Sequence, residues 1–565
     1  MRNLLKTSTH GALALILTLG TTSLITACGS DDEGSGSGGA GGTAGTAGTA
    51  GNGGTAGNGG TAGNGGTSGD GGTSGNGGTA GNGGSAGNAG SAGTAGTGAT
   101  GGSAGTGASA GMAGAGGVTG GTGGATGGTG GATGGTAGMT GDDTTLLYFG
   151  DYDTLGTNAV ATIGLPSTSR TDLTLPGDFD ASETIGAGDV SPDGSKVALG
   201  GRNSSGNAIL VVMNPDGSSP STLFTATETG TEIEDIEYSP DGSMIAFVGD
   251  VGGTDGANNL YVIPAAGGTA VPMHTEFGNK DFDVVAMGWD PATTGTGTAY
   301  LAFVADSVTN GVYELFTVDA RATSPAPNTV VGESEIVSGG DVSQSVHWGS
   351  GSKLYFAGDW EVDNTFRAYR ADADGQNREQ VPGTSLTNGS GAAGIGNLEV
   401  SPDGTKLAFT ADAPDAGLYQ VYVLPLSGGG AAAQVSNVLT TAPGSGTRGP
   451  SFFDAIVWSP DGSQLLLTAD WTSTNDNAFA LYLVPTTGMG GMRLFEEQAA
   501  TNLTYVHYGF ADGGKRVVAL GDLLTNGSDE LFTTSDLTTT NQALSAARIE
   551  EAPTDGDVQG YVVLP

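Results

Sequence analysis

Ser239-Pro240-Asp241-Gly242, followed by Ser243 and the apolar run Met244-Ile-Ala-Phe-Val-Gly-Asp250, is the stretch that decides the fold. Proline presets φ at the second position, the Asp side chain can bond its own backbone, and glycine accepts a positive φ. The chain therefore reverses here, and the apolar runs on either side can pair as antiparallel strands. The same tetrapeptide recurs at Ser191–Gly194, Ser401–Gly404 and Ser459–Gly462. Each copy marks a hairpin.

The strand after each turn closes on a common ending. It runs Lys196 to Gly201, Met244 to Asp250, Lys406 to Asp412 and Gln464 to Asp470, and the same ending picks out units without the turn at Gly150-Asp151, Ala305-Asp306, Gly358-Asp359 and Gly521-Asp522. With Gly201 in the Asp position of one unit, the marks fall at 151, 201, 250, 306, 359, 412, 470 and 522. Spacings of 49 to 58 residues make this an internal repeat of eight units. A third apolar run follows most marks: Ile209–Met213, Leu260–Ile263, Leu315–Val318, Val421–Leu424, Leu481–Val484 and Leu531–Phe532. Four short antiparallel strands repeating in this way, with almost no helical periodicity, predict an all-β fold, the β-propeller.

These turns in register resemble the Pro-Asp-Gly repeats of the TolB-like propeller family, over roughly residues 144 to 565. The resemblance implies the ring and carries over no catalytic residue, since propellers serve many unrelated chemistries. Closure can be read from the ends. The first unit opens directly on its second strand, Leu146–Gly150, and the chain ends on a β-rich run, Gly560–Leu564, that has no unit of its own. Placing the tail as the missing innermost strand leaves no open sheet edge and predicts eight blades; with the tail left out, seven complete blades remain.

Ahead of the ring, residues 1–27 have a basic start (Arg2, Lys6) and an apolar core too short for a comfortable membrane span, the pattern of an export signal. Ile25-Thr26-Ala27-Cys28 resembles a bacterial lipobox, which implies lipid attachment at Cys28 and a Gram-negative cell envelope. Gly29, where Asp would signal retention, implies the outer membrane by the same resemblance. Cys28 is the only cysteine, so the mature fold must hold without a disulfide. Residues 28–141 are almost entirely Gly, Ala, Thr, Ser and Asn with a local six-residue period, too poor in apolar surface to fold, and are expected to be a disordered tether. Gly83-Gly-Ser85-Ala-Gly87 matches a hydrolase nucleophile elbow but lies in that tract, outside any strand-turn-helix context.

Residues 142–565 hold 15 of the 17 basic and 54 of the 58 acidic residues, a net charge of −39. Such a surface repels nucleic acid and anionic lipid and favours cations and basic proteins, so the expected partners are envelope proteins or a basic partner, with membrane contact through the anchor alone and a monomeric ring.

Two sets of residues are candidates for a site. The marks Asp151, Asp250, Asp306, Asp359, Asp412, Asp470 and Asp522 end second strands, so they share one face of the disc. They offer either an acidic ring for a cation or basic partner, or a set of turn-shaping side chains. In the innermost strands, Glu237, His347, Glu399 and His507, joined by Asp189, alternate with apolar residues and point toward the central channel, where imidazole and carboxylate together suit a divalent cation. His274 on an outer segment reads as incidental. The expected function is a binding or scaffold module without an enzymatic reaction, and with no cofactor unless the channel set converges on a cation. The alternatives are a propeller-type polysaccharide lyase or glycosidase with its site at the channel mouth, and a structural surface protein.

Overall fold

The computed structural model describes residues 144–154, 157–165, 170–175, 178–180, 182, 185–251, 256–275, 283–388, 391–414, 418–427, 429–436, 456–469, 480–494, 505–521, 529–537, 547–550 and 557–564. Cys28, the signal and the glycine-rich tract, together with Asp470 and Asp522, lie outside the described residues.

All four Ser-Pro-Asp-Gly turns adopt one geometry. The glycine takes φ of 68 to 70° and donates its N–H to the serine carbonyl at 2.7 to 2.8 Å. The serine hydroxyl donates to the Asp carboxylate and accepts the N–H at the head of the second strand, so Ser and Asp satisfy the reversal from within the turn. The flanking runs then pair directly, Tyr238 with Ile245, Glu237 with Ala246 and Ile236 with Phe247.

The strands form eight four-stranded antiparallel sheets, the blades of a propeller. From blade 1 to blade 8 the innermost strands are Val558–Leu564, Ala187–Val190, Ile233–Tyr238, Val284–Trp289, His347–Gly349, Ile395–Val400, Val457–Trp458 and Tyr505–Ala511. A small hairpin, Thr387–Asn388 with Gly391–Ala392, separates blades 5 and 6. Third strands stand where the apolar runs placed them. Two others, Thr157–Leu165 and Arg367–Asp372, went unread because their apolar residues alternate with Thr or Arg.

The C-terminal run completes blade 1. Tyr561 pairs with Tyr148, Val562 with Leu147 and Val563 with Leu146. On one side of this blade Leu146, Tyr148 and Val563 pack against Val518, Leu520 and Leu531 of blade 8; on the other Leu147, Phe149, Val562 and Leu564 pack against Val190, Val197 and Leu199 of blade 2. Blade 1 is thus an interior member of a closed ring of eight, and the seven-blade alternative falls away.

Register corrects one mark. Eleven residues separate the turn serine from Asp250 and from Asp412, and the same count from Ser191 reaches Arg202, so blade 2 carries its mark at Arg202 rather than Gly201. The doubled glycines at 200 and 201 hide a slip of one residue. Arg202 uses its position differently from an Asp: its guanidinium donates to the carbonyls of Thr231 and Gly230 and lies 3.2 Å from Glu232, tying blade 2 to the head of blade 3.

Candidate functional site

Strand pairing fixes which inner residues share a level of the channel. Opposite equivalent positions of the second strands stand Val562, Asp189, Glu237, Gly288, His347, Glu399, Val457 and Gly509, for blades 1 to 8. Four of the five expected residues therefore lie at one level, in two adjacent pairs: Asp189 with Glu237 and His347 with Glu399. His507 does not join them. It pairs with Leu520, two residues along the strand, and its ring meets Tyr561 edge-on at 5.0 Å. A two-residue shift leaves the alternation of a strand unchanged, and blade 8 lacks the Pro-Asp turn that would have pinned the count.

These groups serve neighbouring blades. Asp189 accepts the backbone N–H of Tyr238 at 2.7 Å, from blade 2 to blade 3. His347 Nδ1 lies 3.0 Å from Glu399 Oε2, from blade 5 to blade 6, off the line of a hydrogen bond, and neither ring nitrogen of His347 has a hydrogen-bond partner. Indole N–H groups do the same along the ring: Trp289 donates to the carbonyl of Glu237, Trp348 to that of Gly288 and Trp458 to that of Glu399. Among the described residues no three or more His, Cys, Asp or Glu converge as metal ligands.

The register aspartates turn inward against backbone. Asp151, Asp250, Asp306, Asp359 and Asp412 each accept a backbone N–H from the segment leading into the innermost strand of their own blade, from Asp557, Glu232, Asp283, Asp341 and Gly394 respectively; Asp341 stands six residues before its strand and the other four directly before theirs. Asp306 and Asp359 also cap their own loops through Gly311 and Asn364, and each is only 4% exposed. The glycine of the mark makes room for this approach. A Cβ on Gly150, Gly249 or Gly358 would fall 2.3, 2.2 or 2.8 Å from the carbonyl oxygen of Asp557, Glu232 or Asp341.

Three of the bonded residues are themselves aspartates, and they extend the chain of bonds to the preceding blade. Asp283 accepts the N–H of Asn258, Asp341 that of Tyr313 and Asp557 that of Asp529, each at 2.9 Å and each just ahead of a third strand. Two carboxylates in series thus stitch blade to blade. Sequence reasoning missed this second aspartate, although its signal is plain once known: Asp immediately before Val at 283, 341 and 557. Burial pushes the Asp341 carboxyl up to about 6; the Tyr313 N–H opposes the shift, and the charges of Asp359, Asp306 and Asp363 add to it. His274, read as incidental, accepts the N–H of Leu260 through Nε2, with Nδ1 2.8 Å from the carbonyl of Thr275. That pairing fits a neutral ring protonated on Nδ1.

A second region lies on the rim of blade 5. A cleft of about 490 Å³ is lined by Glu335, Trp360, Glu361, Tyr369, Arg378, Glu379 and Gln380. Its floor is aromatic: Trp360 meets Tyr369 at 3.9 Å and Phe356 at 5.6 Å between ring centroids.

An eight-bladed propeller closed by its C-terminal strand is the class these observations define. No family model matches the chain, and no curated protein matches it. Solved structures similar to it include a putative TolB from Agrobacterium tumefaciens (18% identity, 52% of this chain and 87% of that one, TM-score 0.29). Another is the β-propeller domain of the Trilobed protease from Pyrococcus furiosus (12% identity, 64% and 97%, TM-score 0.36). A third is an oligogalacturonate lyase from Vibrio parahaemolyticus (16% identity, 60% and 86%, TM-score 0.36). At these values the likeness extends to the propeller fold and no further.

Proposed function

We propose that the chain is a TolB-like envelope lipoprotein, anchored through Cys28, whose propeller works as a binding or scaffold module for a basic protein partner. The observation that carries the reading is the use of the candidate channel and face groups: Asp189, Asp306 and Asp359 are committed to backbone N–H groups of the ring itself. Groups so committed hold a shape. The net charge of −39 on residues 142–565 then supplies the attraction, by steering a cationic surface to the disc.

Expression of the full chain in a Gram-negative host, in-cell cross-linking and affinity capture test the reading. A basic envelope protein should be recovered, its yield should fall steeply as salt rises through the screening range, and Cys28→Ser should release the propeller from the membrane fraction. Unchanged membrane partitioning of Cys28→Ser sinks the anchor. Turnover of a polysaccharide or synthetic glycoside that is lost in His347→Ala would make the channel an active site, and capture of no partner with no turnover would leave a structural surface protein.

A further inference from the structure

We propose that two loops of blade 5 on the face that carries the register aspartates, residues 335–340 and 359–363, dock an extended segment of a basic protein in which a lysine or arginine is flanked by aliphatic side chains. The assignment rests on the reading of the disc as a module for a basic partner and says where that partner sits. It starts from apolar groups left uncovered. Three of the six large apolar side chains exposed among the described residues stand on these loops and on the matching loop of blade 4: Val337 and Val362 at 38 and 47%, and Val308 at 58%. Single exposed valines are ordinary; three on neighbouring loops of one face make a surface that a partner can cover. The two blade 5 loops lie side by side. The Val337 N–H donates to the Trp360 carbonyl at 2.9 Å, and a Cβ on Gly339 would stand 3.1 Å from the Asp363 carboxylate.

Charge sets the character of the segment. Residues 322–352 and 354–366 contain Glu333, Glu335, Asp341, Asp359, Glu361 and Asp363 and no Lys or Arg. Asp341 and Asp359 turn inward to backbone N–H groups, and Glu335 pairs with Arg378 at 2.7 Å. Glu361 accepts the Tyr369 hydroxyl, which Arg367 also approaches, and neither Glu361 nor Asp363 forms an ion pair among the described residues. Two exposed carboxylates beside Val362 are thus left for a cation from outside. The adjoining cleft already seats one guanidinium of the chain itself: Arg378 lies 5.5 Å over the Trp360 ring while it holds Glu335. A second copy of this chain carries the same acids and is repelled, as is any anionic surface.

The loops are fixed before a partner arrives. Asp359 accepts the Asn364 N–H at 2.7 Å through its side chain and the Val362 N–H at 3.0 Å through its carbonyl, so Glu361, Val362 and Asp363 are presented from a closed turn. Preorganisation of this kind lowers the cost of ordering the contact surface.

Calorimetry on the full chain with three probes tests the assignment: acetyl-Leu-Arg-Val-Lys-Leu-amide, its counterpart with Ser at the three aliphatic positions, and its counterpart with Glu at the two basic ones. The first should bind saturably with a dissociation constant on the order of 0.1 mM, the second at least about three-fold more weakly, and the acidic peptide not at all. Glu361→Gln with Asp363→Asn should weaken the first peptide about five-fold, and Val362→Ser about three-fold. Glu228→Gln, which removes an exposed acid from the connection between blades 2 and 3, should leave it within about 1.5-fold. Melting curves establish that each variant is folded. Absence of saturable binding, equal affinity for the serine peptide, or a loss on Glu228→Gln as large as on the blade 5 variants would each overturn the surface. So would a dimer of the full chain, seen in sedimentation, that Val362→Ser abolishes. Capture of a basic envelope protein in cells separates this surface from the reading beneath it: capture undiminished in the double variant overturns the surface and leaves the module standing, whereas capture by neither chain sinks both.

Discussion

At the channel, Trp289, Trp348 and Trp458 each tie the indole N–H to the carbonyl of the blade before; at the rim of blade 5, Trp360 stacks among aromatic side chains in the lining of a cleft. The same contrast runs through the carboxylates. Asp306 and Asp359, nearly buried, are acceptors for backbone on both sides of a blade head, whereas Glu335, Glu361 and Glu379 at the rim meet side chains across an open cleft. The inner half of the disc uses polar groups to fix the relation of one blade to the next, so a change there propagates around the ring. The rim carries such ties too, as from Arg378 of blade 5 to the carbonyl of Val330 in blade 4, but its fourth strands are as short as two residues in blades 3, 5, 6 and 7. Variation there reaches at most the neighbouring blade.

The sharpest test of this contrast is removal of the closing strand. Deleting Gly560–Pro565 strips Tyr561, Val562, Val563 and Leu564, all buried, from the inside of blade 1. At roughly 1.5 to 3 kcal/mol for each large apolar side chain the loss rivals the whole stability of a typical domain, so the variant should aggregate or melt far lower in calorimetry. A melt within about 2 °C of the full chain would mean that the ring stands without its clasp.

Next in size comes Asp306→Ala. It leaves the N–H groups of Asp283 and Gly311 without their acceptor in a nearly closed site, and should cost about 2 to 4 kcal/mol in chemical denaturation. Loss of the same order on Glu361→Ala at the rim would abolish the distinction between the two regions, since that substitution is expected within about 0.5 kcal/mol.

Smaller again is Trp348→Phe. A phenyl ring keeps part of the packing, but the bond to the Gly288 carbonyl and the contacts of the pyrrole ring are lost, for about 1 to 2 kcal/mol, read as a shift of the denaturation midpoint at constant slope.

The subtlest is a pH effect at the double aspartate. A carboxyl whose folded-state pKa is raised from 3.8 to about 6 binds its proton more tightly in the folded chain; the stability it contributes is complete below about 3.8 and is lost as pH rises through 6. Asp341→Asn should therefore gain on the natural chain between pH 4.5 and pH 7.5, in paired melting curves. The turn aspartates shift the opposite way. Asp193 is held below the usual range by the N–H of Ser195 and then the hydroxyl of Ser191, and Asp461 by the hydroxyl of Ser459, so their contribution is present at neutral pH and fades only in strong acid. A difference between Asp341→Asn and the natural chain that stays constant with pH would show that the Asp341 carboxyl keeps its ordinary pKa.

Sequence alone determined the hairpins, the eightfold repeat and the closing strand, because each rests on local chemistry that repeats in register: a Ser-Pro-Asp-Gly turn satisfied from within itself, and an apolar run on either side. It also placed Asp189, Glu237, His347 and Glu399 at one level of the channel. It missed the level of His507 and the identity of the mark at Arg202, since a period of two hides a two-residue slip and paired glycines hide a slip of one. Only the tertiary structure decided what the acids do. Asp283 and Asp341 meet Asp306 and Asp359 through a backbone N–H and reach the previous blade through their own carboxylates. Such partners lie tens of residues apart, and it is the closing of the ring that brings them within reach of a hydrogen bond.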